Sequence, residues 1–155
     1  MKYYSTNHKA PIATLAKAVT KGLAEDKGLY MPKRVPELPT SFFDNIENLS
    51  LQEIAYEVAK ALFNLDIEDE DLKRIVNDTL SFEIPLTKVE NNIYSLELFH
   101  GPTLAFKDVG ARFMARLLQY FIHKGIYQTK ATVNVLTATS GDTGSAVANG
   151  FLGVD

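Results

Sequence analysis

The run Thr132-Val133-Asn134-Val135-Leu136-Thr137-Ala138 is β-branched and nearly uniformly apolar. It passes without a break into Thr139-Ser140-Gly141-Asp142-Thr143-Gly144 and then into the small-residue stretch Ser145-Ala146-Val147-Ala148. An apolar run of this kind reads as a strand covered on both faces, and the glycine loop and helix behind it complete half of an α/β unit. This end of the chain is therefore expected to open an α/β sheet. At 155 residues the chain amounts to one domain or a part of something larger.

Composition narrows the function classes. With 46% hydrophobic residues a real core can form, which excludes a wholly disordered chain. Sixteen Lys and Arg against 19 Asp and Glu leave a net charge of -3, with no basic excess for a phosphate backbone, so nucleic acid is not the expected partner. The absence of cysteine removes disulfides, thiolate catalysis and cysteine zinc sites together, and fits a reducing cytoplasm. No apolar run is long enough to span a bilayer, and the stretch from Ala10 to Ala16, cut by Lys17, is too short for a signal peptide. A cytoplasmic protein with no membrane partner is expected.

Residues 1–80 read as a mainly helical domain. Ile12, Leu15, Ala16, Val19 and Leu23 mark one helical face, ended by Gly22 and the Asp26-Lys27-Gly28 turn. Leu29-Tyr30-Met31 is a short extended piece, and Pro32, Pro36 and Pro39 make the stretch they punctuate a surface connector. Ser50 and Glu53 form a capping box ahead of Leu51, Ile54, Ala55, Val58 and Leu62. The acidic run Glu68, Asp69, Glu70, Asp71 precedes Leu72, Ile75, Val76 and Leu80, where carboxylates complement the positive end of a helix. A metal site is the alternative for that run, disfavoured because adjacent helical residues point in different directions.

Residues 81–155 carry a different grammar. The segments 85–89 and 93–98 are β-rich and flank Asn91-Asn92, predicting a hairpin. Gly101-Pro102 breaks the second strand. From Asp108 a helix is expected, with Gly110, Phe113, Met114, Leu117, Leu118 and Phe121 on its apolar face and Arg112, Arg116, Gln119 and His123 on a polar one, closed by Gly125. His8, His100 and His123 show no metal-ligand spacing.

Two segments can carry chemistry. In Phe99-His100-Gly101-Pro102-Thr103-Leu104-Ala105-Phe106-Lys107-Asp108, a turn-rich loop brings Lys107 to a helix entrance. A cation there is disfavoured by about 0.3 to 1 kcal/mol, so the position favours the neutral amine needed for Schiff-base or proton-abstraction chemistry. The plainer alternative is a solvated lysine leaning toward Asp108, itself an ordinary helix-start carboxylate. In the second segment, Gly141 and Gly144 let backbone approach a ligand, and the N–H groups of the following helix start, with the hydroxyls of Thr139, Ser140 and Thr143, suit a phosphate or carboxylate. An ordinary turn with an Asp cap is the alternative there. The segment has neither GxxxxGK[ST] nor GxGxxG.

Taken together, Leu96 to Asp108 with Gly110-Ala111-Arg112-Phe113-Met114-Ala115 closely resembles the cofactor-lysine segment of the threonine synthase family, and Leu136 to Gly144 resembles its substrate loop. Ala18 to Pro32 resembles the family's N-terminal domain, while Asn7-His8 after Ser5-Thr6 departs from members that carry Arg there. The resemblance implies a tryptophan synthase β-like fold, the type II pyridoxal phosphate architecture. It also implies conversion of O-phospho-L-homoserine and water to L-threonine and phosphate. By that resemblance Lys107 bonds the cofactor and then shuttles protons, Phe106 and Asp142 sit at the cofactor, and Thr139, Ser140, Gly141 and Thr143 hold the substrate's anionic groups. His100 and Asp108 support the site. Two rivals stay open: another lyase or dehydratase of the same cofactor fold, and, more distantly, a serine hydrolase using Ser140, His100 and Asp142, for which no GxSxG elbow is present. A non-catalytic interaction domain is a third reading.

Family members are about three times this length by resemblance, and Phe151-Leu152-Gly153-Val154-Asp155 reads as the approach to a further strand. The expectation is an N-terminal fragment, inactive by itself, lacking the loop that grips the cofactor phosphate and exposing apolar surface that predicts self-association.

Overall fold

The computed structural model describes residues 1–127 and 132–154; Asp155, the end of the expected approach to a further strand, lies outside them. The elements run β1 (Tyr3–Ser5), α1 (Leu15–Lys21), β2 (Tyr30–Pro32), α2 (Thr40–Asp44), α3 (Leu51–Phe63), α4 (Asp69–Thr79), β3 (Leu86–Glu90), β4 (Ile93–Leu96), α5 (Asp108–His123) and α6 (Asp142–Phe151). Two antiparallel pairs, β1 with β2 and β3 with β4, are the sheets among the described residues.

Helix starts follow the side chains that can satisfy free N–H groups. Thr14 caps α1 by accepting from the Lys17 N–H, and Gly22 at φ 70 ends it, so Ile12 and Leu23 fall outside and are exposed. The Ser50–Glu53 capping box at α3 is complete in both directions. Thr40–Asp44, a single short helix behind Pro39, is an addition to the expected connector. At α4 the acidic run disperses. Asp69 accepts from the Tyr56 hydroxyl at 2.6 Å, Asp71 pairs with Arg74 at 2.6 Å and with Lys124 at 3.0 Å, and Glu68 pairs with the same Lys124 at 2.8 Å, so the carboxylates are taken up by neighbouring side chains. No three His, Asp or Glu among the described residues could share a metal ion, and no described helix is long and apolar enough to cross a membrane.

The core is built from Leu15 and Val19 of α1, Ala59 of α3, Leu72, Ile75 and Val76 of α4, and Leu117, Tyr120 and Phe121 of α5. It therefore runs continuously across residue 80. The expected polar face of α5 is only partly wet: Arg112 donates to the Asp78 carbonyl at 2.5 Å, the Thr79 carbonyl at 3.1 Å and the Ser81 hydroxyl at 2.8 Å, closing the C-terminal end of α4. The far side of α5 receives α6, whose Gly150 lies so close that a Cβ would stand 3.0 Å from the Ala111 carbonyl carbon and oxygen.

One expected element does not form. Thr132–Ala138 makes no ladder and is exposed throughout, with Leu136 92% exposed. A strand exists through hydrogen bonds to a neighbour, and no described segment pairs with this one. The predicted hairpin does form, with Leu86 opposite Leu96 and Lys88 opposite Tyr94, a register shift between Lys88 and Glu90, and Asn92 at φ 60 in the turn.

Candidate active site

Lys107 is the N-cap of α5, in right-handed helical conformation and without a capping side chain. Two tight turns lead into it, Leu104 N–H to the Gly101 carbonyl and Asp108 N–H to the Ala105 carbonyl, each at 3.0 Å. The amine does not lean toward its neighbour Asp108. Its Nζ lies 3.6 Å from Oδ2 of Asp142, the first residue of α6, and 4.2 Å from the centre of the Phe106 ring. With 29% of the Lys107 side chain exposed, the nitrogen is reachable without standing free in solvent. The carboxylate and the ring face both attract its positive charge, and the α5 N-terminus repels it.

The second segment is organised around one hydroxyl. Thr139 Oγ1 accepts from the Gly141 N–H at 3.1 Å and the Gly144 N–H at 2.9 Å, and Gly141 takes φ 135, a conformation essentially reserved for glycine. Thr139 thereby shapes the loop, its oxygen already engaged as an acceptor. Ser140 is exposed and Thr143 half-buried at the start of α6, and Ser145 donates to the Asp142 carbonyl at 3.0 Å. A ten-residue helix begins at Asp142, so its first-turn N–H groups present a positive edge beside the amine.

His100 is not brought to this point. Its Nε2 lies 2.7 Å from Glu97 and its ring stacks on Phe99, with centroids 4.8 Å apart. That contact is the first cause holding the Glu97 carboxyl below the usual range, with Thr87 adding to it. No hydrogen bond joins His100 to Ser140 among the described residues, which leaves the hydrolase triad without its base. Asp108 is fully buried and turned to Thr103. Glu97 and Thr103 are the two side chains that sequence reasoning missed; both act through loop geometry, for which no periodic signal exists. At the departure from the family pattern, Asn7 donates to the Asp26 carbonyl at 2.9 Å and His8 stacks on Tyr4.

The site thus joins two segments some 35 residues apart: a primary amine at one helix entrance and a hydroxyl-bearing, glycine-shaped helix start facing it. That is a mixed α/β arrangement that sets a lysine amine beside a glycine-shaped helix start. The family model described as "Threonine synthase N terminus" matches residues 2–80. The chain belongs to the threonine synthase family. It is 41% identical to the threonine synthase of Haemophilus influenzae over all of its own length and 35% of that protein. Among solved structures, the threonine synthase of Brucella melitensis, described as PLP bound, superposes with a TM-score of 0.91 at 36% identity, covering 100% of this chain and 34% of that one. The Escherichia coli threonine synthase superposes with a TM-score of 0.86 at 39% identity, covering 99% and 35%. The mixed α/β fold is that of these enzymes, and the chain spans about a third of their length.

Proposed function

We propose that this chain carries the cofactor lysine and part of the substrate cradle of a pyridoxal-phosphate-dependent threonine synthase, which converts O-phospho-L-homoserine and water to L-threonine and phosphate. The observation that carries the reading is the Lys107 Nζ to Asp142 Oδ2 approach of 3.6 Å, which puts the two family motifs in one place.

The residues fit the cofactor. An aldehyde needs a reachable primary amine, and Lys107 is one, with the Phe106 ring against it. When bound, pyridoxal phosphate supplies an electron sink that makes loss of protons from the substrate carbons feasible. Lys107 would hold the cofactor and move protons at Nζ. Asp142 keeps that amine at the start of α6 and, as an ionised carboxylate, only accepts hydrogen bonds there. Thr139 fixes the loop, and Ser140, Gly141 and Thr143 offer hydroxyl and N–H donors to the substrate's anionic groups. His100, held by Glu97, and Asp108, held by Thr103, support the loop from within it, away from the amine. Similarity to threonine synthases along the whole chain favours phosphohomoserine over the serine, threonine or O-acetylserine that other enzymes of the cofactor fold would use.

Because its relatives are about three times as long, this 155-residue chain is expected to release no phosphate from phosphohomoserine alone; measurable release would overturn that part of the reading. Exposed Leu104, Phe106, Leu86, Val89 and Leu136 favour self-association in the reducing cytoplasm where a cysteine-free biosynthetic chain would work, and a sharp monomer in sedimentation would count against it. The decisive test is the visible spectrum of the full-length enzyme with pyridoxal phosphate, before and after borohydride. Lys107→Ala should lose the reduced adduct, and its persistence would remove Lys107 from its role.

A further inference from the structure

The loop that delivers Lys107 is held by a carboxylate that the reaction itself does not use. Asp108 has no exposed surface, and both its oxygens are engaged by one residue: Oδ1 accepts from the Thr103 hydroxyl at 2.7 Å and Oδ2 from the Thr103 N–H at 2.9 Å. A carboxylate withdrawn from water is tolerated only when so bonded, and the N-terminus of α5 adds its positive end. The approach is close enough to dictate the sequence around it. A Cβ on Gly101 would stand 2.5 Å from Asp108 Oδ2, 2.9 Å from its Cβ and 3.0 Å from the Phe82 ring, so only glycine fits.

The same loop contains a strained residue. Leu104 sits at φ 57, where a bulky side chain is rare, and its side chain is 76% exposed, so packing does not hold it there. Lys107, for its part, begins α5 with no capping side chain. Besides the two tight turns, the side-chain contact that spans both is Thr103 to Asp108.

We propose that Asp108 and Thr103 form a latch that positions Lys107. By closing residues 101–108 against the first turn of α5, the pair sets where Nζ emerges and keeps it at the Asp142 carboxylate. Neither residue touches the reacting atoms; both are positioning residues, and the inference rests on Lys107 being the cofactor lysine.

The test uses the 155-residue chain with pyridoxal phosphate and borohydride, reading by mass spectrometry the ratio of label on Lys107 to label on the exposed Lys88. Thr103→Val removes the hydroxyl at nearly constant shape and should lower that ratio about tenfold, the scale of one lost hydrogen bond to a charged group. Thr103→Ser restores the hydroxyl and should restore the ratio, which a merely structural role for the methyl group would not. Asp108→Ala removes both acceptors and should lower the ratio at least as far as Thr103→Val, and the double variant should be no worse than Asp108→Ala alone, because both changes break one latch. A ratio unchanged in Thr103→Val, or losses that add in the double variant, overturns the proposal. If the wild-type chain labels Lys107 no better than Lys88, cofactor capture needs the rest of the enzyme, and the cofactor reading is decided by the borohydride test on the full-length enzyme. The latch is then judged by amide exchange at Leu104 and Asp108, where unchanged protection in Thr103→Val overturns it and faster exchange, reversed in Thr103→Ser, supports it.

Discussion

Residues 1–80 and residues 81–154 solve opposite problems. In the first region α1, α3 and α4 bury Leu15, Val19, Leu72, Ile75 and Val76 against one another and against α5. In the second, the hairpin and the stretch 132–138 leave Leu86 63%, Leu96 58% and Leu136 92% exposed. What connects them is α5, whose apolar face lies in the core while its first residue adjoins Lys107. The Lys107 amine thus stands at the end of a rod anchored by packing rather than on a free loop, the arrangement that holds a side chain to a narrow range of positions.

The sharpest way to break this contrast is a matched pair of truncations. Leu72→Ala empties a fully buried site and should destabilise by about 2–5 kcal/mol, whereas Leu136→Ala, on a side chain already in water, should stay within about 0.5 kcal/mol. Denaturant midpoints of the two variants decide it; comparable losses would mean that the 132–138 stretch is packed after all.

A smaller effect is expected where the two site-bearing helices touch. At Gly150 any added side chain meets the backbone of Ala111 and Arg112, which cannot rotate away. Gly150→Val should therefore cost about 1–3 kcal/mol and push α6 off α5. Because Asp142 begins α6, labelling of Lys107 by pyridoxal phosphate should fall with it; retained labelling in a destabilised variant would show that the two helix starts are held together by their loops. Arg112→Ala comes next, at about 1 kcal/mol, since the carbonyls it leaves at the end of α4 are partly open to water. Thermal unfolding with unchanged Lys107 labelling would assign Arg112 to the frame, and lost labelling would extend the site's support into the first region.

Legibility in the sequence divides along the same line. Periodic elements with local signals were readable: α3 through Ser50 and Glu53, α4 through its acidic start, α5 through the Phe113–Leu117–Phe121 stripe, the hairpin through Asn91-Asn92. Elements that depend on distant partners were less so. Leu29-Tyr30-Met31 read as extended and is β2, but its partner Tyr3–Ser5, on the other side of α1, is three residues with no alternation to detect. Thr132–Ala138 has every intrinsic feature of a strand and forms none, because propensity cannot supply a neighbour to bond with. In the site, residue types announced Lys107 and the Thr139–Gly144 loop. The Thr103–Asp108 and Glu97–His100 contacts were invisible, since a turn can place almost any spacing together.

The finest test concerns the loop that closes the first region, because it uses the same device as the Lys107 loop, an aspartate gathering donors. Asp26 accepts from the Ser5 hydroxyl at 2.5 Å and from the N–H groups of Gly28, Lys9 and Ala10 at 2.9 to 3.0 Å. The Ser5 hydroxyl first, then those N–H groups, bring its carboxyl down from 3.8 to about 2. With the folded value below the unfolded one, the charged form favours folding. Its contribution is complete above about pH 5 and is lost as pH falls through about 4 toward 2. Asp26→Asn has no carboxylate to protonate, so stability measured from pH 5 to pH 2 should fall less steeply than in the wild-type chain, with the difference between them shrinking toward the acid end. Parallel curves would mean that the donors around Asp26 bind either protonation state equally, and that the first region is closed by packing alone.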